Sequence, residues 1–520
     1  VKCIVSKANK AILAPRTGQT INMFPAAHSL THLDQDYLVV PWDIRETIML
    51  RHLGYRIPNP MLVDYDWKGG KPFDVQRHTC DMMTTAARCY VLNEMGTGKS
   101  KATLWAWDYL HGKGLCGKLL IVATLSTLKF VWQAEVFATL PHRKVEVLHH
   151  PHKGKAYRLE RLREEADIYI INHDGLKTIQ AELSLRTDID VLCLDELAVY
   201  RNNSDRSKAM RKFAERFKIV WGLTGRPMPN EPTDVWAQAK IVTPHTAPKF
   251  FRQAQELLML KVNDHRWIPR PEAVDRAMTM LQPNVRFSLD DVTELPPVIY
   301  RTIDVPLSPK QDKVYKTLAR EFKAEVANSH ITAVNAAVAM GKLLQVSGGW
   351  VYANPIGSVP LDAQPRHETL IDLINENQRK VIVYVPFRHA IEGLAPILTA
   401  AGIDYAIVHG QINGRGEIFN AFQHTTKYKV LLAHPQCVAH GLTLTVADTI
   451  VWYMPITSLD IYEQANARII RVGQKHKQQI LHLQSTSVER KIYGLLQRKQ
   501  RIQDTLLDML SDATEQKLAA

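Results

Sequence analysis

No apolar run in the 520-residue chain approaches the ~20 residues that a bilayer-spanning helix needs. The first residues also lack a charged start leading into an apolar core and a cleavage site. The expectation is a chain with no membrane partner and no export route, working in the cytoplasm of a bacterial or phage-infected cell, or in the nucleus of a eukaryote. The six cysteines, Cys3, Cys80, Cys89, Cys116, Cys193 and Cys437, form no Cys-x-x-Cys pair. That spacing suggests neither a zinc ribbon nor a disulfide framework and fits a reducing setting. Tandem repeats and low-complexity tracts are absent. Hydrophobic residues at 46% and charged residues at 22% are ordinary for a globular chain with several cores.

A length of 520 residues exceeds what one core serves, so several domains are expected. Lys and Arg number 65 against 52 Asp and Glu, a net +13. Such an excess suits a polyanionic partner such as nucleic acid, although a merely basic, solvated surface gives the same number.

Short β-branched runs separated by amphipathic stretches organise the chain: KLLIVAT from Lys118, DIYIIN from Asp167, VLCLDE from Val191 and IVWGLTG from Ile219. A second series follows: RKVIVYV from Arg379, DYAIVHG from Asp404, KVLLAH from Lys429 and DTIVWYMP from Asp448. Strands apolar on both faces and alternating with helices predict two α/β domains, each on a parallel sheet. The boundaries read as an accessory unit over 1–65, a first lobe over 66–245, a helical region over 246–350, and a second lobe over 351–520 with a C-terminal helix. Ser308 before Pro309 marks a helix start, and no strand-separating pin stands out.

The chemistry starts at VLNEMGTGKS, Val91 to Ser100. A strand pattern precedes it and a helix pattern follows, the setting of a phosphate-gripping loop. Gly96, Thr97 and Gly98 let backbone N–H groups close on phosphate, Lys99 reaches the β- and γ-phosphates, and the Ser100 hydroxyl can ligate Mg²⁺. The bland alternative is a glycine turn with a solvated lysine. A metal-organising acid is supplied by VLCLDEL, where Asp195 suits Mg²⁺ and Glu196 the attacking water. In QANARIIRVGQKHK, Arg468 and Arg471 lie three residues apart, which places them on one face of a helix. They are either arginine fingers or a basic solvated helix.

The order of these blocks resembles that of superfamily-two helicase-like motors, within them the Swi/Snf-type ATP-dependent DNA translocases, over about residues 70 to 510. KPFDVQRHTCDMM resembles the Q motif, NEMGTGKS the first motif, ATLSTLKFVWQAEV motif Ia, INHDGL motif Ib, LDELAVYRN motif II and LTGRPMPN motif III. KVIVYVPFRHAIEGL is similar to motif IV, HGLTLTVADTIVWYMP to motif V, and QANARIIRVGQKHK to motif VI. The Arg-x-Gly-Gln ending, ELPPV before SPKQDKVY, and SVERKIYGLLQRK resemble this branch more than helicases at large.

The resemblance implies two tandem RecA-like lobes, ATP and Mg²⁺ as cofactors, and DNA, duplex or branched, as partner. It implies that Gln76 reads adenine and that Arg468 and Arg471 act as fingers with Gln464 beside them. Thr124, Lys129, Asn172, Thr224, Gly225, Gly441 and Thr443 would line the DNA track or couple it to hydrolysis. The full phosphate-loop pattern has a glycine where this chain has Asn93; the resemblance removes the difficulty, because the family opens its loop with an acidic or polar residue. Ala198 departs from the DEAH-type histidine, and Arg226 from the usual threonine. Trp132 and Trp236 read as core more than as base-stacking platforms. The resulting expectation is a compact bacterial or phage motor in DNA repair, recombination or fork remodelling. Its rivals are a strand-separating DNA or RNA helicase and a non-catalytic ATP-dependent clamp.

Overall fold

The computed structural model describes residues 2–150, 152–263, 266–289, 291–292, 296–328, 333–353, 357–438, 443–471 and 474–498. Contacts divide the chain into two compact units, Val1–Val292 and Thr293–Ala520. The stretch 499–520, which continues the expected C-terminal helix, lies outside the described residues.

The first unit begins with an antiparallel sheet of β1 (Ile4–Ser6), β2 (Ala11–Pro15), β3 (His28–His32) and β4 (Gln35–Pro41), in the order β1-β2-β4-β3. Ile12, Ala14, Val40, Trp42, Leu50 and Ile57 bury one small core against it. Every residue of β3 stays exposed.

A seven-stranded sheet follows, built from β5 (Arg88–Val91), β6 (Lys118–Ala123), β7 (Val145–Val147), β8 (Ile168–Asn172), β9 (Ile189–Asp195) and β10 (Ile219–Leu223). Beyond a two-stranded hairpin, β11 (Met259–Asn263) with β12 (Arg266–Pro269), the seventh strand β13 (Asn284–Val285) joins its edge. The order is β13-β5-β10-β9-β6-β8-β7, and each pairing is parallel. Alternation explains the continuous apolar runs: Leu120, Val122, Leu192 and Leu194 enter one core, Leu119, Ile121, Val191 and Cys193 the other. Both faces are buried, so neither parity of residue can be polar.

The second unit repeats the plan with β14 (Val298–Asp304), β17 (Lys380–Tyr384), β18 (Tyr405–Val408), β19 (Val430–Ala433), β20 (Ala447–Trp452) and β21 (Gln478–Gln484). Their order is β14-β21-β20-β17-β19-β18, again parallel throughout, with a separate antiparallel pair of β15 (Trp350–Ala353) and β16 (Gly357–Pro360). Ser308 caps the helix Pro309–Asn328: its hydroxyl accepts from the Gln311 N–H at 3.2 Å. That helix and Ala333–Gly348 pack on the second unit's core, whereas helices Asp234–Val242 and Ala273–Met280 pack on the first unit's. Among the described residues, no helix is long and apolar enough to cross a membrane.

Candidate nucleotide and nucleic-acid site

In a parallel sheet the carboxyl ends of all strands share one edge, and ligands gather there. Residues singled out in the first unit follow β5, β6, β8, β9 and β10 at that edge.

The loop after β5 is held from three sides. The Asn93 side chain is buried, donating to Thr79 Oγ1 at 2.9 Å and accepting the Phe287 N–H at 3.0 Å. Glu94 donates its N–H to the Phe287 carbonyl at 2.8 Å, and its carboxylate accepts the Leu289 N–H at 3.1 Å. A glycine at 93 would forfeit the side-chain bonds, which gives this chain a local reason for asparagine. Gly96 and Gly98 sit at φ 86° and 78°, the left-handed region that favours glycine. A Cβ on Gly98 would also collide with the Gln76 amide. Thr97 is buried, its hydroxyl donating to the Glu94 carbonyl at 2.8 Å. Lys99 opens the helix Lys99–Gly112, and its Nζ donates to the Asn93 and Glu94 carbonyls at 2.7 and 3.0 Å. Ser100, half-buried, is on the same first turn.

Gln76 comes to the loop as well. Its Nε2 donates to the Gly98 carbonyl at 3.2 Å while its Oε1 accepts the Phe73 N–H at 3.0 Å. The side chain expected to read adenine therefore braces the phosphate loop.

Asp195 ends β9. Trp132 Nε1 donates to its Oδ2 at 2.8 Å and the Glu196 N–H to its Oδ1 at 3.1 Å. Burial raises the Asp195 pKa, opposed by the Trp132 bond, the Lys99 charge and the Glu196 N–H. A carboxylate so placed gains from a nearby cation. Glu196 stands at φ 53°, ψ 53°, left-handed and uncommon for a non-glycine residue, and heads the 3₁₀ turn Leu197–Tyr200. Trp132 and Trp236 are both buried, so neither is a base platform. Trp132 instead belongs to the site through its indole N–H, on the π-helical turn Leu128–Gln133 that also carries exposed Lys129.

Motif III closes the arrangement. Buried Thr224 donates its N–H to the Val91 carbonyl at 3.1 Å, and its hydroxyl accepts the Arg226 N–H at 3.2 Å. A Cβ on Gly225 would approach the Asn93 carbonyl to 3.3 Å, so the residue after Thr224 lies against the phosphate loop. Thr124 follows β6 and Asn172 ends β8 on the same edge, and Asn172 Oδ1 is buried with no hydrogen-bond partner among the described residues.

The second unit corrects one expectation. The helix Leu459–Asn466 carries Gln464 but stops before the arginines, so Arg468 and Arg471 lie in the turns beyond it and share no helical face. Arg468 is buried, with Nε donating to the Gln464 carbonyl at 2.7 Å. Arg471 donates to Thr443 Oγ1 at 2.9 Å, and the Leu444 N–H to the Arg468 carbonyl at 3.0 Å. Motifs V and VI are thus tied together. Gln474, missed as a site residue, fastens this turn to β20 through the Ala447 carbonyl at 2.9 Å. Gly441, and Val472 and Gly473 of motif VI, lie outside the described residues.

No group of three or more His, Cys, Asp or Glu residues that could hold a metal occurs among the described residues. Ser100 and Asp195 fit an ion that keeps several waters and takes phosphate oxygens, as Mg²⁺ does.

A phosphate loop, an acid pair at a strand end and an arginine turn on a second parallel sheet define a nucleotide-hydrolysing protein of the two-lobed helicase type. Residues 72–346 match the SNF2-related domain and residues 365–473 the helicase conserved C-terminal domain. The chain belongs to the SNF2-related family, a family of ATP-dependent helicase-type ATPases. It is 24% identical over 454 residues to putative protein p41 of Acyrthosiphon pisum secondary endosymbiont phage 1, spanning 80% of this chain and 93% of that protein. An uncharacterized ATP-dependent helicase of Mycoplasma pneumoniae is 25% identical over 431 residues, 80% of this chain and 40% of its own length. The Arabidopsis thaliana ISWI chromatin-remodeling complex ATPase CHR17 is 25% identical over 459 residues, 82% of this chain and 41% of its own. This chain thus spans about two fifths of the latter two. The Sulfolobus solfataricus SWI2/SNF2 ATPase core, solved in complex with dsDNA, aligns at a TM-score of 0.39 and 18% identity, covering 87% of this chain and 96% of that one.

Proposed function

We propose that this chain is an ATP-driven motor that translocates on double-stranded DNA and remodels forks, recombination intermediates or protein–DNA complexes. The observation that carries the proposal is the gathering, at one edge of the first sheet, of a phosphate loop, an acid pair and the two strand ends of motifs Ia and Ib. Relatives named as ATP-dependent helicases and chromatin-remodelling ATPases support it, as does the net charge of +13.

In this reading Lys99 exchanges its two carbonyl partners for the β- and γ-phosphates, as backbone N–H groups of Gly96, Thr97 and Gly98 close on them. Ser100 and Asp195 would hold Mg²⁺, which would neutralise charge developing on the phosphates. Glu196 orients the attacking water and accepts its proton. Arg468 and Arg471 bring positive charge to the γ-phosphate, with Gln464 and the Thr443 contact setting their position. Thr124, Lys129, Asn172, Gly441 and Thr443 grip DNA phosphates, contacts that carry no sequence information and so suit stepping along any sequence, while buried Thr224 couples that track to hydrolysis. Gly225 transmits the loop's state to Thr224.

The hairpin β11–β12 gives the strand-separating alternative a physical element, since Trp267 anchors it on the first unit's core while Val262 stays exposed. Displacement of a third strand from a triplex, run beside unwinding of a forked duplex, separates the two. ATP-dependent triplex displacement without fork unwinding is expected. Fork unwinding without triplex displacement would replace translocation by strand separation.

A further inference from the structure

The family's motif II histidine is replaced here by Ala198, yet the catalytic turn is not without a tether. His173 directly follows Asn172 at the end of β8 and opens the helix His173–Ser184. Tyr200 ends the 3₁₀ turn that starts at Glu196. Tyr200 is fully buried and His173 nearly so, and His173 Nδ1 shares a hydrogen bond with the Tyr200 hydroxyl at 2.8 Å. Their rings meet edge to face, 5.2 Å between centroids. Of His173 Nδ1 and the Tyr200 hydroxyl, one donates and the other accepts, so the pair is joined by a single hydrogen bond. The Tyr200 carbonyl accepts the Ser207 hydroxyl at 3.2 Å, which fixes that end of the turn to the helix Asp205–Ala214.

The left-handed Glu196 is a conformation that costs about 1–3 kcal/mol and persists only when its surroundings hold it. One end of its turn is the Asp195 carboxylate; the other is Tyr200. We propose that the His173–Tyr200 hydrogen bond is the link by which the strand end at Asn172 sets the orientation of Glu196, in place of the histidine absent at position 198. His173 and Tyr200 are positioning residues that touch neither nucleotide nor nucleic acid. The proposal rests on the motor reading, in which Asn172 faces DNA.

The test is ATP turnover with and without saturating duplex DNA in the full chain. Tyr200→Phe keeps the ring and removes only the hydroxyl. It should lose about tenfold of the DNA stimulation, within the usual range of coupling between sites, with KM for ATP unchanged. His173→Asn places an amide near Nδ1 and should keep the stimulation; His173→Gln reaches toward Nε2 and should lose it. Packing alone would not distinguish these two variants, and their comparison decides the matter if Tyr200→Phe fails to fold. Normal stimulation of Tyr200→Phe, an equal fall of basal and stimulated rates, or His173→Asn no better than His173→Gln would overturn the link. A wild-type chain that no nucleic acid stimulates would overturn the motor reading itself, and the link with it, a failure distinct because it is seen before any substitution.

Discussion

At residue scale, Asn93 shows what local pattern carries and what it omits. The glycines, Lys99 and Ser100 are legible because a phosphate loop is a contiguous motif bounded by a strand and a helix. Of the partners that give Asn93 its place, Thr79 lies 14 residues before it, whereas Phe287 comes from 194 residues further on and leaves no mark near it. Trp132 is similar: its burial follows from composition, but its hydrogen bond to Asp195 spans 63 residues. Trp132→Phe should keep the core while leaving Asp195 without its indole donor. The expected result is a fall in kcat of about tenfold with little change in melting temperature, the loss of one hydrogen bond to a charged group. Lys99→Ala and Glu196→Gln should each lower turnover by more than about a hundredfold, and Glu196→Gln should still bind ATP in a fluorescent-nucleotide titration. Wild-type turnover in Glu196→Gln would remove that residue from water positioning.

At element scale, β5, β6, β8, β9 and β10 of the first large sheet and β17 to β20 of the second were readable because burial on two faces demands uninterrupted apolar runs, whereas β7, β13, β14 and β21 were not read. The four-stranded sheet at the start and the hairpin β11–β12 were not, since each exposes much of its surface and alternates only weakly. Arginines three residues apart fit a helix or a pair of turns equally well. The structure chooses turns because Ala467 caps the helix, its N–H donating to the Glu463 carbonyl at 3.0 Å, and the chain then bonds back to motif V. The helix Ser487–Gln497 is set by a buried pair that spacing could not reveal. Arg366 donates to Glu489 Oε1 at 2.8 Å, and Glu489 Oε2 accepts the N–H groups of Ser485 and Thr486 at 2.7 and 3.1 Å. Both side chains are essentially fully buried. Arg366→Met should leave an uncompensated carboxylate and cost about 3–5 kcal/mol in denaturant unfolding, whereas the double variant Arg366→Met, Glu489→Leu should recover part of that loss. A single-variant cost below about 1 kcal/mol would show that the pair contributes little.

At the scale of the whole molecule, each unit carries a buried histidine whose pKa burial depresses, His173 to about 4 and His482 to about 3. The unfolded chain, with its histidines near 6.5, binds more protons as pH falls below that value, so stability should decline from about pH 6.5 towards pH 4, by roughly 2–3 kcal/mol for each group. Melting curves over that range check it, and His482→Gln should remove that group's share while leaving the part owed to His367, whose pKa burial lowers to about 4. Composition indicated a basic, multi-domain chain, and motif order pointed to the family. Which nucleic acid a chain of this family serves is a property of surfaces that spacing alone does not draw. The steady-state rate of ATP hydrolysis, measured with no polymer, single-stranded DNA, duplex DNA, branched DNA and RNA, tests the central claim most directly. Strong stimulation by duplex or branched DNA is expected; stimulation by RNA alone, or by none of these polymers, would contradict it.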